Sequence, residues 1–255
     1  MGEGGDGEDA GIRISIGSVA ELHATTTRRG FLRLVGLGAT LAFLPSFVGC
    51  KSDSVTGTAN EPPGSGEPLL IDFALGDVAI LQFAHVLEQL EAAFYSRVVT
   101  AFGTSNIIES EQTLLTDIRN HAVAHREVLE ATLGPSAALT ATPTYPGLNF
   151  ADRATVLGTA KQLEDLGVAA YNGMAQYLVS PDLVLLFGKI VSVEGRHAAA
   201  IRDLLNARSA DFAPTAADDV LRPARVAAAE QEILVDKLAF ANAPATFVQG
   251  PNNNG

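Results

Sequence analysis

Apolar positions recur with helical spacing through four long stretches, each closed by glycine, proline or a polar break. The first runs from about Asp77, which reads as an N-cap, to Phe102, where Gly103 closes it. The second runs from about Asn106, with Glu109 three residues on as its capping-box partner, to Leu133 ahead of Gly134-Pro135. The third starts near Ala151 and ends near Val179. The fourth opens on Ser180-Pro181-Asp182, a cap, a first-turn proline and an acid at the positive end of the dipole, and ends near Asn206. Lengths of about 25 residues give rods of roughly 40 Å, the size of bundle helices. A further helix is expected from about Ala216, interrupted at Pro223, to about Ala241, and the tail from Gln249 to Gly255 reads as disordered.

The connections order these segments. Only a few residues join the first to the second and the third to the fourth, so each pair is predicted to form an antiparallel hairpin. Gly134 to Phe150, with Pro135, Pro143 and Pro146, is long enough to cross the end of a bundle. The predicted fold is all-α: two hairpins joined by one long crossover over residues 70–207, plus a C-terminal helix in 208–255.

The hairpins repeat one another. Leu87-Glu88-Gln89-Leu90-Glu91-Ala92-Ala93-Phe94-Tyr95 in the first segment matches Leu163-Glu164-Asp165-Leu166-Gly167-Val168-Ala169-Ala170-Tyr171 in the third at Leu, Glu, Leu, Ala and Tyr. Ala122-Val123-Ala124-His125 in the second segment pairs with Glu194-Gly195-Arg196-His197 in the fourth. Glu at i and His at i+3 share a helix face and can close on one metal ion. Glu88, between Leu87 and Leu90, and Glu194, beside Val193, lie on apolar stripes, where an acid is costly unless paired or metal-bound. Two such helices, with a Glu from each of the other two, would surround a pair of ions, and carboxylate with imidazole suits iron or manganese.

These motifs (L-E-Q-L-E-A-A-F-Y, H-A-V-A-H-R-E-V-L, L-E-D-L-G-V-A-A-Y and V-S-V-E-G-R-H-A-A-A) resemble the ferritin-like family, with its exported bacterial members and plant desiccation-related proteins. The resemblance covers residues 70–207 and implies a ferritin-like four-helix bundle. It also implies two iron or manganese ions held by Glu88, His125, Glu164, Glu194 and His197. A sixth ligand, a Glu, is implied where this chain has Ala122. Its loss predicts one tight site near Glu194 and His197 and a weaker partner site. Glu91 and His121, each one turn from a ligand position, are candidate substitutes. Glu91, however, has no acidic counterpart in the repeat, where Gly167 stands, and His121 also reads as a helix-surface residue. Tyr95 and Tyr171 return to the face of Glu88 and Glu164, either to hydrogen-bond the site or act in redox steps, or as core tyrosines with satisfied hydroxyls. His85 reads as structural.

Composition removes other classes. The 255 residues are 47% hydrophobic, and the net charge of −12 comes without a basic stripe, which argues against nucleic acid and against an anionic membrane surface as electrostatic partners. A single cysteine excludes an intramolecular disulfide and any cysteine-based zinc or iron–sulfur site. No phosphate loop, nucleophile elbow or H-E-x-x-H occurs.

Residues 1–49 suggest a compartment. Thr27-Arg28-Arg29-Gly30-Phe31-Leu32-Arg33 resembles a twin-arginine export motif, and the uncharged run Leu34–Gly49 is shorter than a membrane-spanning helix needs. Phe47-Val48-Gly49-Cys50 resembles a lipoprotein cleavage box, with Phe47 a departure from the usual Leu. The resemblance implies recognition of Arg28 and Arg29 by the twin-arginine translocation machinery, and cleavage and lipidation at Cys50. It implies a periplasmic or cell-envelope lipoprotein held to a membrane by that lipid; an uncleaved anchor is the alternative. Residues 50–69 read as a flexible tether. That route carries proteins already folded, often with cofactor in place. Association with further copies of the chain is left open.

Two functions compete on these grounds. One is an exported di-metal carboxylate protein that reacts with oxygen or peroxide or binds iron. The other is a non-enzymatic structural or stress-related bundle with a degenerate site.

Overall fold

Four helices of nearly equal length form where the apolar spacing places them: α1 (Asp77–Ala101), α2 (Glu109–Leu133), α3 (Arg153–Met174) and α4 (Pro181–Leu205). The computed structural model describes residues 68–134, 139–230 and 238–245. Arg28, Arg29, Cys50, residues 51–67 of the tether and the C-terminal tail lie outside the described residues. Among those described, no helix is long and apolar enough to cross a membrane. α1 packs along α2 and α3 along α4, and residues 139–152 lie in the connection between the two hairpins.

The helix ends differ from expectation in an informative way. Asp77 does not cap α1; Gly76 does, at φ 59°, and the Asp77 carboxylate accepts hydrogen bonds from the backbone N–H groups of Val179 (2.8 Å) and Ser180 (2.9 Å). Asn106 likewise caps nothing. α2 starts three residues later, while the Asn106 side chain accepts from Arg153 N at 2.5 Å and its own N–H donates to Ala151 O. Both residues tie one hairpin to the other. At the same end, the Arg153 guanidinium grips both oxygens of buried Glu111 (2.6–2.9 Å) and donates to Leu204 O, joining α2, α3 and α4. α3 has a side-chain cap, Asp152 accepting from Thr155 N, and α4 begins with Pro181 after Ser180.

α1 is buried on nearly every side through its first half: Ala79 to Glu88 are all buried. Its outer face is covered by two segments wrapped around the bundle. The crossover is clamped by Gln89, whose side chain donates to Leu139 O and accepts from Ala141 N. Tyr145 adds a second clamp, its hydroxyl donating to Leu90 O and its ring packing against Phe94 and Phe150. Tyr145 holds φ at 134°, a costly conformation that this packing compensates.

The second cover is the C-terminal segment. The C-terminal helix is present but begins at Pro223 rather than near Ala216, as α5 (Pro223–Glu230). Proline opens it at the position where the missing N–H costs nothing, instead of interrupting it. Leu238–Ala241, expected as helix, is instead a strand, β2. It pairs in parallel with β1 (Leu69–Asp72), at the junction read as tether and bundle start. Phe240 from β2 stacks edge-on against Phe73 (5.4 Å) and Phe83 (5.3 Å). Leu221 N donates to Ala169 O, and α3 admits this approach because residue 173 is glycine. A Cβ there would lie 1.8 Å from Leu221 O.

Candidate metal centre

Each hairpin sends its glutamate and histidine inward at mid-height. Glu88 (α1), His125 (α2), Glu164 (α3), Glu194 and His197 (both α4) are all buried; the three carboxylates are at most 1% exposed. Ligand atoms of Glu88, His125 and Glu194 lie within 4.8 Å of one another, and so do those of Glu164, Glu194 and His197. Glu194 belongs to both groups. Its Oε1 is 2.8 Å from His125 Nδ1 and its Oε2 3.3 Å from His197 Nδ1. Two triads joined by one carboxylate are arranged as two adjacent cation sites would need to be.

The tyrosines cross between hairpins. Tyr95, on the helix of Glu88, donates to Glu164 Oε1 at 2.5 Å, and Tyr171, on the helix of Glu164, donates to Glu88 Oε1 at 2.6 Å. Each bond fixes one oxygen of a carboxylate and leaves the other free to face the interior. Those inward atoms, Glu88 Oε2 and Glu164 Oε2, have no hydrogen-bond partner among the described residues, and the nearest imidazole nitrogens stand at 3.5 and 3.4 Å. Buried carboxylate oxygens left so are costly unless a cation takes them up. The residues of each triad are of the kind and spacing that could hold a metal ion.

Protonation in the metal-free chain follows the same pattern. Burial pushes Glu88 up and Glu164 to about 7. Burial would also raise Glu194, but hydrogen bonds from His125 and His197 outweigh it and hold that carboxyl well below its ordinary range. Burial would lower both imidazoles, yet Glu88 and Glu194 lift His125 to about 10, and Glu164 and Glu194 lift His197 to about 9. Burial and the neighbouring glutamates raise Tyr95 and Tyr171 well above the ordinary phenol value, so both remain donors. An ion held there at neutral pH would have to displace protons from the imidazoles.

The other candidates take different places. His121 stands behind His197: its Nδ1 is 2.9 Å from His197 Nε2, the rings are stacked, and the residue is exposed. His85 turns to Gln89, 3.3 Å away. Ala122 is 1% exposed, packed with Ala92 and Val123. Glu91 is 5% exposed and belongs to neither triad; burial, with the charges of Glu194, Glu164, Glu88 and Glu230, pushes its carboxyl well up.

A family model described as ferritin-like domain matches residues 76–207, which spans all four helices and every residue of the two triads. The chain belongs to the ferritin-like family. A comparison with curated proteins finds no match. The family's region ends before α5, and α5 carries an acid that the apolar pattern of the sequence did not bring forward. Glu230 is buried, its Oε2 has no hydrogen-bond partner among the described residues, and burial pushes its carboxyl up to about 8. Helical spacing from Val226 and Ala227 places it on the inward face and could have revealed it.

Proposed function

We propose that the protein holds two iron or manganese ions in this chamber and uses them in reaction with oxygen or peroxide, outside the cytoplasmic membrane. The carrying observation is the sharing of Glu194 between two buried triads. Bound there, either metal would supply redox chemistry toward oxygen or peroxide. The side chains supply position. Glu194 links the two sites, and Tyr95 and Tyr171 fix the rotation of Glu164 and Glu88. Buried rings packed on the two tyrosines, Phe94 on Tyr95 and Phe187 on Tyr171, help exclude bulk water. His121 holds the outer nitrogen of His197 and so orients its inner one.

The compartment is part of the same reading. Arg28-Arg29 and the single cysteine, Cys50, support export through the twin-arginine route and attachment by lipid, with residues 51–67 as the tether. A domain without disulfides can fold and load metal before crossing.

One observation favours the non-enzymatic alternative: Ala122 is sealed among apolar neighbours where the family would supply a carboxylate. Metal content together with peroxide consumption by the purified protein separates the readings. Two ions and turnover support the first; an ion-free, inert bundle supports the second.

A further inference from the structure

The repeat that aligns Glu88 with Glu164 and Tyr95 with Tyr171 also aligns Glu91 with Gly167. The crossed tyrosine bonds show that the two hairpins are related about an axis through the site, so positions 91 and 167 face each other across it. The distances agree. A Cβ on residue 167 would lie 2.7 Å from Glu91 Oε1 and 3.8 Å from its Cδ, with nothing else within 4 Å. The Glu91 carboxylate therefore occupies the space that a side chain at 167 would fill. An acid on one helix and the missing side chain on its mate form a single feature.

That feature stands beside the departure at Ala122. In the other pair of helices the repeat sets Glu194 against Ala122, so the carboxylate is on α4 alone. The chain has one carboxylate fewer on α2 and one more on α1, and the extra one is buried against Gly167, one turn beyond Glu164, within electrostatic reach of Glu194, Glu164 and Glu88. With Glu91 counted, four glutamates line the chamber, enough to neutralise two divalent ions.

We infer that Glu91 is a sixth metal ligand, taking the part of the carboxylate absent at Ala122, and that Gly167 is the cradle that admits it. This rests on the di-metal reading above and deepens it. It replaces the expectation of one tight and one weak site with two sites of comparable strength, and it assigns a purpose to a glycine in mid-helix, where alanine would otherwise be favoured.

Titration of the full-length protein with manganous ion, followed by removal of free ion and elemental analysis, tests it. The variants are Gly167→Ala, Glu91→Gln and the two combined. The clash at 167 meets only the far end of a flexible side chain, so Gly167→Ala moves the carboxylate without disturbing backbone. Its metal-free melting temperature should not fall. We expect two ions per wild-type chain. Each single variant should lose affinity for one of them about 10–100-fold, taking effects of neighbouring shells as the scale. The combined variant should be no weaker than either. Variants that bind as the wild type does overturn the assignment of Glu91 and leave the di-metal reading standing. A wild type that takes up no ion overturns both.

Discussion

Tyr95 on one hairpin donates its hydroxyl to Glu164 on the other, and the reciprocal bond from Tyr171 to Glu88 has nearly the same length, 2.5 against 2.6 Å. These bonds tie the two hairpins together at the level of the site. They also leave each glutamate one inward oxygen. A sequence repeat has become a reciprocal support.

Replacing either tyrosine by phenylalanine removes the hydroxyl that donates to a buried carboxylate oxygen. We expect Tyr95→Phe and Tyr171→Phe each to lower the stability of the metal-free protein by about 1–3 kcal/mol. Urea unfolding reads this. Losses of similar size from the two variants are expected, since the environments match.

Glu194 is the common partner of both imidazoles, so its removal should be felt at both. In Glu194→Ala, His125 and His197 lose a main cause of their elevation, and burial draws them down from about 10 and about 9. NMR titration of the ring protons should show both midpoints lower than in the wild type. Stripping a charged partner from a buried pair should also cost about 3–5 kcal/mol of stability. Unmoved midpoints would place the imidazoles in contact with something other than Glu194.

The pH dependence of stability should carry the mark of Glu230. Burial raises its folded-state pKa to about 8 from an ordinary value of 4.5, so the buried acid is tolerated while protonated. Its contribution is fully present below about pH 4.5 and is lost as pH rises through about 8. The total should be on the order of a few kcal/mol. Glu230→Gln should flatten this slope. Glu91 on α1 is raised in the same direction and interacts with Glu230, so the variant should reduce the dependence rather than erase it. Burial keeps Tyr145 in the crossover far above the ordinary phenol range, so it stays protonated throughout. Chemical unfolding of metal-free protein from mildly acidic to mildly alkaline pH measures the effect.

Localisation can be tested independently of the metal. With Arg28 and Arg29 both changed to Lys, the precursor should stay inside the cell. Cys50→Ser should release soluble protein from the envelope fraction, and retention of that variant in the membrane would favour an uncleaved anchor over a lipid.

The four helices are readable in the sequence because each carries an uninterrupted apolar stripe, and the Glu and His positions stand out as acids and imidazoles on those stripes. Local capping logic fails at Asp77 and Asn106 for a reason: both side chains serve backbone on the opposite hairpin, which only tertiary packing reveals. β1 and β2 are four residues each and far apart in the chain, so neither has enough pattern to outweigh a helical reading of the alanine-rich C-terminal stretch. Gly167 is visible in the sequence but points the wrong way. Along the chain it argues against Glu91, because the repeat lacks a second acid. In three dimensions the lack of a side chain is what gives Glu91 its space.

If the shared carboxylate of Glu194 joins two occupied metal sites, elemental analysis of the full-length protein purified from exporting cells should show it directly. Close to two ions of iron or manganese per chain are expected, and none in Glu194→Ala. Wild-type protein that carries neither metal, and takes up neither from excess ferrous or manganous ion, would refute the di-metal centre.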